Sequence, residues 1–259
     1  MPKKENLVDN WNKAYKDLST SYDERLNTPN KIVMYVQNQI VHDHIQHFLK
    51  DIESPKILEV GCGGARQSLF LALHDFDVTC ADSAPEAIRL AQSNFASRNA
   101  KGVFVSDDLL NSMLPAVTYD CIMSFGLLEH FEDIGPVINS MTNLLKPGGI
   151  QIHCVVPKKF STDTIMNCVW FPARFTRNII RRNFKDIFRK SFRDFPHYEN
   201  SFSAKEYCRV FRDAGNQILK NEADGILYPF IAQLPFGIND MIAARFSDIL
   251  SKLMICLLY

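Results

Sequence analysis

The run Glu59-Val60-Gly61-Cys62-Gly63-Gly64-Ala65-Arg66 stands where a short apolar stretch gives way to a helical pattern. Glycines at such a junction permit a tight turn and let a ligand reach the backbone where a Cβ would collide. Asp82 closes the next apolar stretch, and a carboxylate there can accept hydrogen bonds from both hydroxyls of a ribose. The pair points to a ligand that contains a nucleoside. A dinucleotide fingerprint, G-x-G-x-x-G, would require glycine where Arg66 stands when counted from Gly61, so an NAD-dependent oxidoreductase is the weaker alternative.

These residues need a scaffold, and the surrounding pattern supplies one. Short runs rich in β-formers, at 56–60, 77–81, 102–106, 119–124 and 149–156, alternate with helical stretches at about 65–74, 84–98 and 134–145. That alternation predicts βαβ units and a parallel sheet covered on both faces, an α/β fold of the doubly wound, Rossmann-like kind. Ligands of such sheets bind beyond the carboxyl ends of the strands, where the strand order reverses. Upstream, apolar residues at helical spacing over 31–50 predict an amphipathic helix, and residues 1–52 read as an N-terminal helical cover of the main domain, 53–259. His42, His44 and His47 lie on that helix with no further ligand nearby, so no metal is assigned.

Beyond these readings, the sequence resembles the class I S-adenosylmethionine-dependent methyltransferases of the small-molecule branch that includes quinone-biosynthesis enzymes. Residues 57–69 look like the family's first motif, and 80–92 like its second strand with the acidic residue and following helix. The segment 105–110 resembles the part that contacts adenine; 119–133 resembles the fourth strand and its loop, 144–152 the turn into the fifth strand, and 202–215 a later helix. The family's usual third glycine is Ala65 here. The last sheet strand falls near 226–231 or in 254–259.

The resemblance implies S-adenosylmethionine as cofactor. Gly61 and Gly63 would let the backbone approach its methionine part, Glu59 would orient the loop or a water, and Asp82 with the following Ser83 would take the ribose. Asp108 stands at the family's usual spacing before Asp120 and is favoured over Asp107 for the adenine amino group, with Asp107 retained as a candidate. Backbone atoms of Ser124 and Phe125 would lie beside the sulfonium. Transfer from a sulfonium is an in-line displacement with an activated leaving group, so alignment carries much of the catalysis and a base is optional. For a hydroxyl acceptor the candidate base is His130, whose imidazole follows the strand end. His153, inside a strand, reads as a core or edge histidine.

The chain has 29 basic and 29 acidic residues and no formal net charge, which gives no global attraction to nucleic acid. The balance is a cancellation. Residues 158–193 carry a net charge of +8 and the remainder −8, and aromatic residues, including Phe184, Phe188 and Phe192, are interleaved with the basic ones. Residues 158–201 therefore read as a basic helical lid inserted into the core fold. Such a segment packs over the core, or meets anionic groups of a membrane surface or of a lipid-linked or phosphorylated acceptor, or binds RNA through its local charge. Trp170, Phe171, His197 and Tyr198 are the candidate acceptor contacts, and Trp11, Tyr15 and Tyr22 could close the cofactor site from the other side.

Neither a signal-like leader nor an apolar run of spanning length is visible, so the expectation is a cytoplasmic chain, with peripheral membrane contact through the insertion as an option. Seven widely spaced cysteines without a CxxC pair argue against a disulfide framework and against a zinc site. The expected function is methyl transfer to a small-molecule or lipid-linked acceptor. Its non-enzymatic rival is a protein that binds S-adenosylmethionine, or is recruited to membranes, without turnover.

Overall fold

The computed structural model describes residues 4–16, 18, 29–155, 171–173, 175–180 and 200–221. Its elements are α1 (Lys4–Lys16), α2 (Pro29–Phe48), β1 (Lys56–Val60), α3 (Arg66–Ala72), β2 (Asp77–Asp82), α4 (Pro85–Ser97), β3 (Val103–Ser106), β4 (Tyr119–Phe125), α5 (Gly135–Leu144), β5 (Leu145–Cys154) and α6 (Ala204–Asp213). Short 3-10 turns occupy Leu109–Asn111 and Leu128–His130. Every strand and helix read from the sequence between 56 and 154 is present.

The five strands are parallel in the order β3-β2-β1-β4-β5. The chain winds outward from β1 to β3, then returns and winds the other way, which places the switch point between β1 and β4. Side chains of period two sort the core into two layers. Ile57, Val78, Cys80, Cys121 and Met123 pack against α2, α3 and α4, while Leu58, Val60, Ala81 and Ile122 pack against α5 and α6. Both faces are covered, which is why the strands are apolar throughout rather than alternating.

β5 begins earlier than its β-rich run suggests. Tyr119 pairs with Leu145 but Cys121 with Ile150, so Lys146-Pro147-Gly148-Gly149 bulges out between two paired positions. Gly148 has φ +79°, a conformation open to glycine, and the turn implied by Pro-Gly-Gly is thus a bulge within the strand. At the amino ends of the strands Asp120 is buried, accepts the Lys56 N–H at 2.9 Å and pairs with Lys146 Nζ at 2.9 Å, holding β1, β4 and the start of β5 together.

α6 is the best-capped helix. Ser203 and Glu206 form a reciprocal capping box, so two N-terminal amides are satisfied from within the segment. Among the described residues no helix is long and apolar enough to cross a membrane. Most of the insertion, and both positions considered for the last strand, lie outside the described residues.

Candidate active site

Three loops meet at the carboxyl ends of β1, β2 and β4. After β1 the backbone turns left-handed at alternate residues, Gly61 (φ +63°), Gly63 (φ +51°) and Ala65 (φ +51°). A Cβ at Gly61 would stand 2.6 Å from Leu127 Cδ1, so the glycine is what lets the loop after β4 close against the loop after β1. The Cys62 N–H donates to the Ala81 carbonyl at 3.1 Å and ties the loop to β2.

Asp82 fastens two segments at once. Its Oδ2 accepts the Gly63 N–H at 2.9 Å and its Oδ1 the Ala84 N–H at 2.8 Å, at the start of α4. Ser83, between them, is exposed. A carboxylate offers about four lone-pair directions, so Asp82 retains capacity for further donors such as ribose hydroxyls. Burial pushes its pKa upward, against the pull of the amides it accepts.

Glu59 is turned inward, 2% exposed. Its Oε2 accepts the Ser68 N–H at 3.0 Å and the Ser68 hydroxyl at 2.5 Å. Because Ala65 cannot cap α3, the carboxyl of β1 does so from across the loop. Burial raises its pKa to about 7, opposed by the Ser68 hydrogen bonds. Both bonds go to Ser68 and fix the start of α3, the helix that follows the glycine loop.

At the end of β3 the Asp107 N–H donates to the Asp82 carbonyl at 3.0 Å and Asp107 Oδ1 accepts from the Met113 amide at 2.9 Å. Asp108 caps the following 3-10 turn, accepting from the Leu110 amide at 3.2 Å and from Asn111 Nδ2 at 2.8 Å. Both acids thus stand beside Asp82 on the same rim. Each carboxylate is engaged by its own turn and, like Asp82, keeps lone-pair directions for a further donor.

At the end of β4 the Ser124 side chain is fully buried and faces the α5 and α6 layer, where its hydroxyl lies 2.7 Å from His153 Nδ1. Phe125 packs toward the opposite layer. His153 Nε2 meets Gln151 Oε1 at 3.0 Å and the ring lies over Phe211, so His153 belongs to a half-buried polar chain that continues through Gln151 to Asn216. Burial lowers its pKa to about 3 and keeps it neutral.

His130 sits half-buried on the turn after β4. Its ring meets the edge of Trp11 at 5.2 Å, and Trp11 stacks on Tyr15 at 5.7 Å. α1 therefore lies across the rim, fixed to α4 by the Glu86 N–H to Asn12 Oδ1 (3.3 Å) and by Arg89 to the Lys16 carbonyl (3.2 Å). The Tyr15 hydroxyl would be 2.7 Å from a Cβ on Gly63. Burial, then the nearby Asp82, Cys62 and Glu59, push the pKa of that phenol well up, so it remains a neutral hydrogen-bond donor facing acceptors.

One organising residue has no counterpart among those singled out from sequence. Asn200, 3% exposed, donates from its backbone N–H to the Glu129 carbonyl at 2.6 Å and from Nδ2 to the carbonyls of Leu128 (2.9 Å) and Phe131 (3.0 Å). Its Oδ1 accepts the Tyr207 hydroxyl at 2.8 Å and the Phe202 amide at 3.2 Å. A lone asparagine after an insertion carries no periodic or motif signal. Of the candidate acceptor contacts, Trp170, His197 and Tyr198 lie outside the described residues, as does Tyr22; Phe171 is helical and stacks on Phe175 at 5.7 Å. Among the described residues no group of three His, Cys, Asp or Glu side chains is arranged to hold a metal ion.

A left-handed glycine loop after β1, next to the switch point between β1 and β4, and an acid at the end of the neighbouring β2 form the kind of crevice in which doubly wound sheets bind ligands. Residues 57–149 match the family described as "Methyltransferase domain". A ubiquinone biosynthesis O-methyltransferase of Xanthomonas axonopodis pv. citri is 27% identical over 176 residues, 67% of this chain and 66% of that protein. One from Rickettsia felis is 27% identical over 117 residues, 45% of this chain and 48% of that protein. The first of these alignments spans about two thirds of its relative and the second about half. Magnesium protoporphyrin IX methyltransferase from Synechocystis PCC 6803, solved with bound SAH, superposes with a TM-score of 0.54 at 16% identity over 86% of this chain and 90% of the other, a likeness of fold. Residues 57–149 are thus similar to methyltransferase domains, and the parallel sheet around them has the fold of the solved methyltransferase.

Proposed function

We propose that this protein transfers a methyl group from S-adenosylmethionine to an oxygen of a small-molecule acceptor. The observation that carries the reading is Asp82, which joins the left-handed glycine loop to the start of α4 and keeps accepting capacity toward the cleft. The names of the relatives, ubiquinone biosynthesis O-methyltransferases, support oxygen as the acceptor atom.

When bound, the cofactor supplies a methyl group on a sulfonium that is already a good leaving group. The chain's own residues align and enclose. Gly61 and Gly63 keep the loop open to close approach, Asp82 takes ribose hydroxyls, and Asp107 or Asp108 takes the adenine amino group. Tyr15 and Trp11 close the rim and exclude water. His130, on the turn after β4, removes the proton from an acceptor hydroxyl as the oxygen becomes the nucleophile. Holding the reacting atoms at about 3 Å and in line is where most of the acceleration would arise.

The insertion is the acceptor side of this reading. Its charge of +8 with interleaved aromatic residues suits a lipid-linked acceptor or the anionic surface that carries one. Calorimetric titration with S-adenosylmethionine and with its demethylated product tests the cofactor: saturable binding is expected, and its absence overturns the proposal. Incubating a cell extract with methyl-labelled cofactor and identifying the labelled species by mass spectrometry tests the acceptor. Label on nitrogen or carbon would overturn the oxygen assignment.

A further inference from the structure

Asn200 stands where the segment read as an insertion, 158–201, returns to the body of the fold. All of its side-chain hydrogen-bonding capacity is used, two donors and two acceptors, in a buried setting where an unpaired group would be costly. The partners fall into two sets. The acceptors of its N–H groups are the carbonyls of Leu128, Glu129 and Phe131, which bracket His130 on both sides. The donors to its Oδ1 are the Phe202 amide and the Tyr207 hydroxyl, which belong to the lead-in and first turns of α6.

A 3-10 turn of three residues has little internal hydrogen bonding with which to hold its own orientation. The turn Leu128–His130 makes its own bonds from the His130 amide to the Leu127 carbonyl (3.1 Å) and from the Phe131 amide to the Leu128 carbonyl (3.3 Å). Three further bonds come from one residue some seventy positions away in sequence. The direction in which the His130 ring meets Trp11 is thus set by Asn200 as much as by β4.

We infer that Asn200 is a positioning residue: it takes the return end of the insertion as a reference point and fixes the turn that presents His130, so that the acceptor side and the candidate base are held in register. The inference rests on the proposed role of His130, but the contact it concerns does not depend on turnover. Two arms separate the amide's work on the turn from its work on α6. Asn200→Asp keeps the oxygen that Tyr207 and Phe202 donate to, and replaces the Nδ2 donor by an oxygen facing two carbonyls. Tyr207→Phe removes one donor on the α6 side and leaves the turn tethers intact.

The test uses the full-length chain in a Trp170→Phe background, which leaves Trp11 as the remaining tryptophan. The His130 ring packs 5.2 Å from the Trp11 ring, so the Trp11 emission spectrum at one fixed pH should differ between the wild type and His130→Gln. The expected result is that Asn200→Asp, folded by circular dichroism, shifts the Trp11 emission to the His130→Gln level, whereas Tyr207→Phe keeps the wild-type spectrum. Asn200→Ser, smaller and uncharged, takes the same place if the aspartate variant does not fold. A wild-type spectrum in the folded Asn200 variant, or an equal shift in Tyr207→Phe, overturns the inference. The measurement needs neither cofactor nor acceptor, so its failure is distinct from failure to bind S-adenosylmethionine in the calorimetric test.

Discussion

The Gly63 amide and the Asp82 carboxylate are joined at 2.9 Å, and the other oxygen of the same carboxylate takes the Ala84 amide at 2.8 Å. One side chain thereby sets both the loop after β1 and the entry to α4. Asp82→Asn replaces one of the two accepting oxygens by a donor that faces an amide. The expected outcome is a loss of S-adenosylmethionine affinity of about tenfold or more, corresponding to about 1.5–3 kcal/mol for a charge-assisted hydrogen bond. Calorimetry on the wild type and the variant checks it, and equal dissociation constants would remove Asp82 from the site.

Gly63→Ala should act on α1 rather than on the sheet. The new methyl would lie 2.7 Å from the Tyr15 hydroxyl, at a backbone φ of +51° that costs an alanine about 1–2 kcal/mol. Proteolytic trimming of the first sixteen residues should therefore become faster, and Tyr15→Phe in the same chain should restore part of the protection. Trimming at the wild-type rate would show that α1 does not rest on this loop.

Glu59 and His153 give opposing dependences on pH. Glu59 has its pKa raised to about 7, so between its unfolded value near 4.5 and 7 the unfolded chain gives up a proton that the folded chain keeps. Stability from this group is full below pH 4.5 and falls as pH rises to about 7. His153 has its pKa lowered to about 3 from 6.5, so below 6.5 the unfolded chain takes up a proton that the folded chain refuses, and stability falls as pH drops toward 3. Each slope is about 1.4 kcal/mol per pH unit at most, and from about pH 4.5 to 6.5 they largely cancel. Glu59→Gln should expose an acid-labile slope in urea melts over that window, and His153→Gln an alkali-labile one. Parallel curves for the two variants would contradict the assignment.

Asp120 offers a control in which stability and ligand binding part company. It is 4% exposed and joins Lys56 to Lys146 at the end of the sheet away from the cleft. Asp120→Ala leaves the Lys56 amide without its partner and should cost about 1–3 kcal/mol in chemical denaturation, with cofactor affinity unchanged at temperatures where the variant is folded. A parallel loss of affinity would mean that the two ends of the sheet are coupled.

The strands, the helices between them and the pairing of Gly61–Gly63 with Asp82 were legible because each leaves a local mark: a β-rich run, a 3.6-residue period, a glycine that only a turn can explain. The inward turn of Glu59 was not, because the sequence shows that a carboxylate follows Leu58 but not that Ala65 leaves α3 without a cap. Nor was the 3-10 turn that Asp108 caps, because three residues leave no periodic signal. Asn200 was illegible for a further reason. Its partners are backbone carbonyls 69 to 72 positions away, and a carbonyl has no identity in a sequence.

α1 meets the body through a few polar contacts at an exposed rim and through Trp11 and Tyr15, while β1 is paired on both sides within the core. Elements held in this way open with a free energy well below that of global unfolding. α1 should accordingly behave as a separate cooperative unit, its amides exchanging with deuterium long before those of β1. Each opening would uncover the Gly63–Asp82 junction, so the rate of cofactor exchange would be governed by the detachment of thirteen residues rather than by diffusion to a standing cleft.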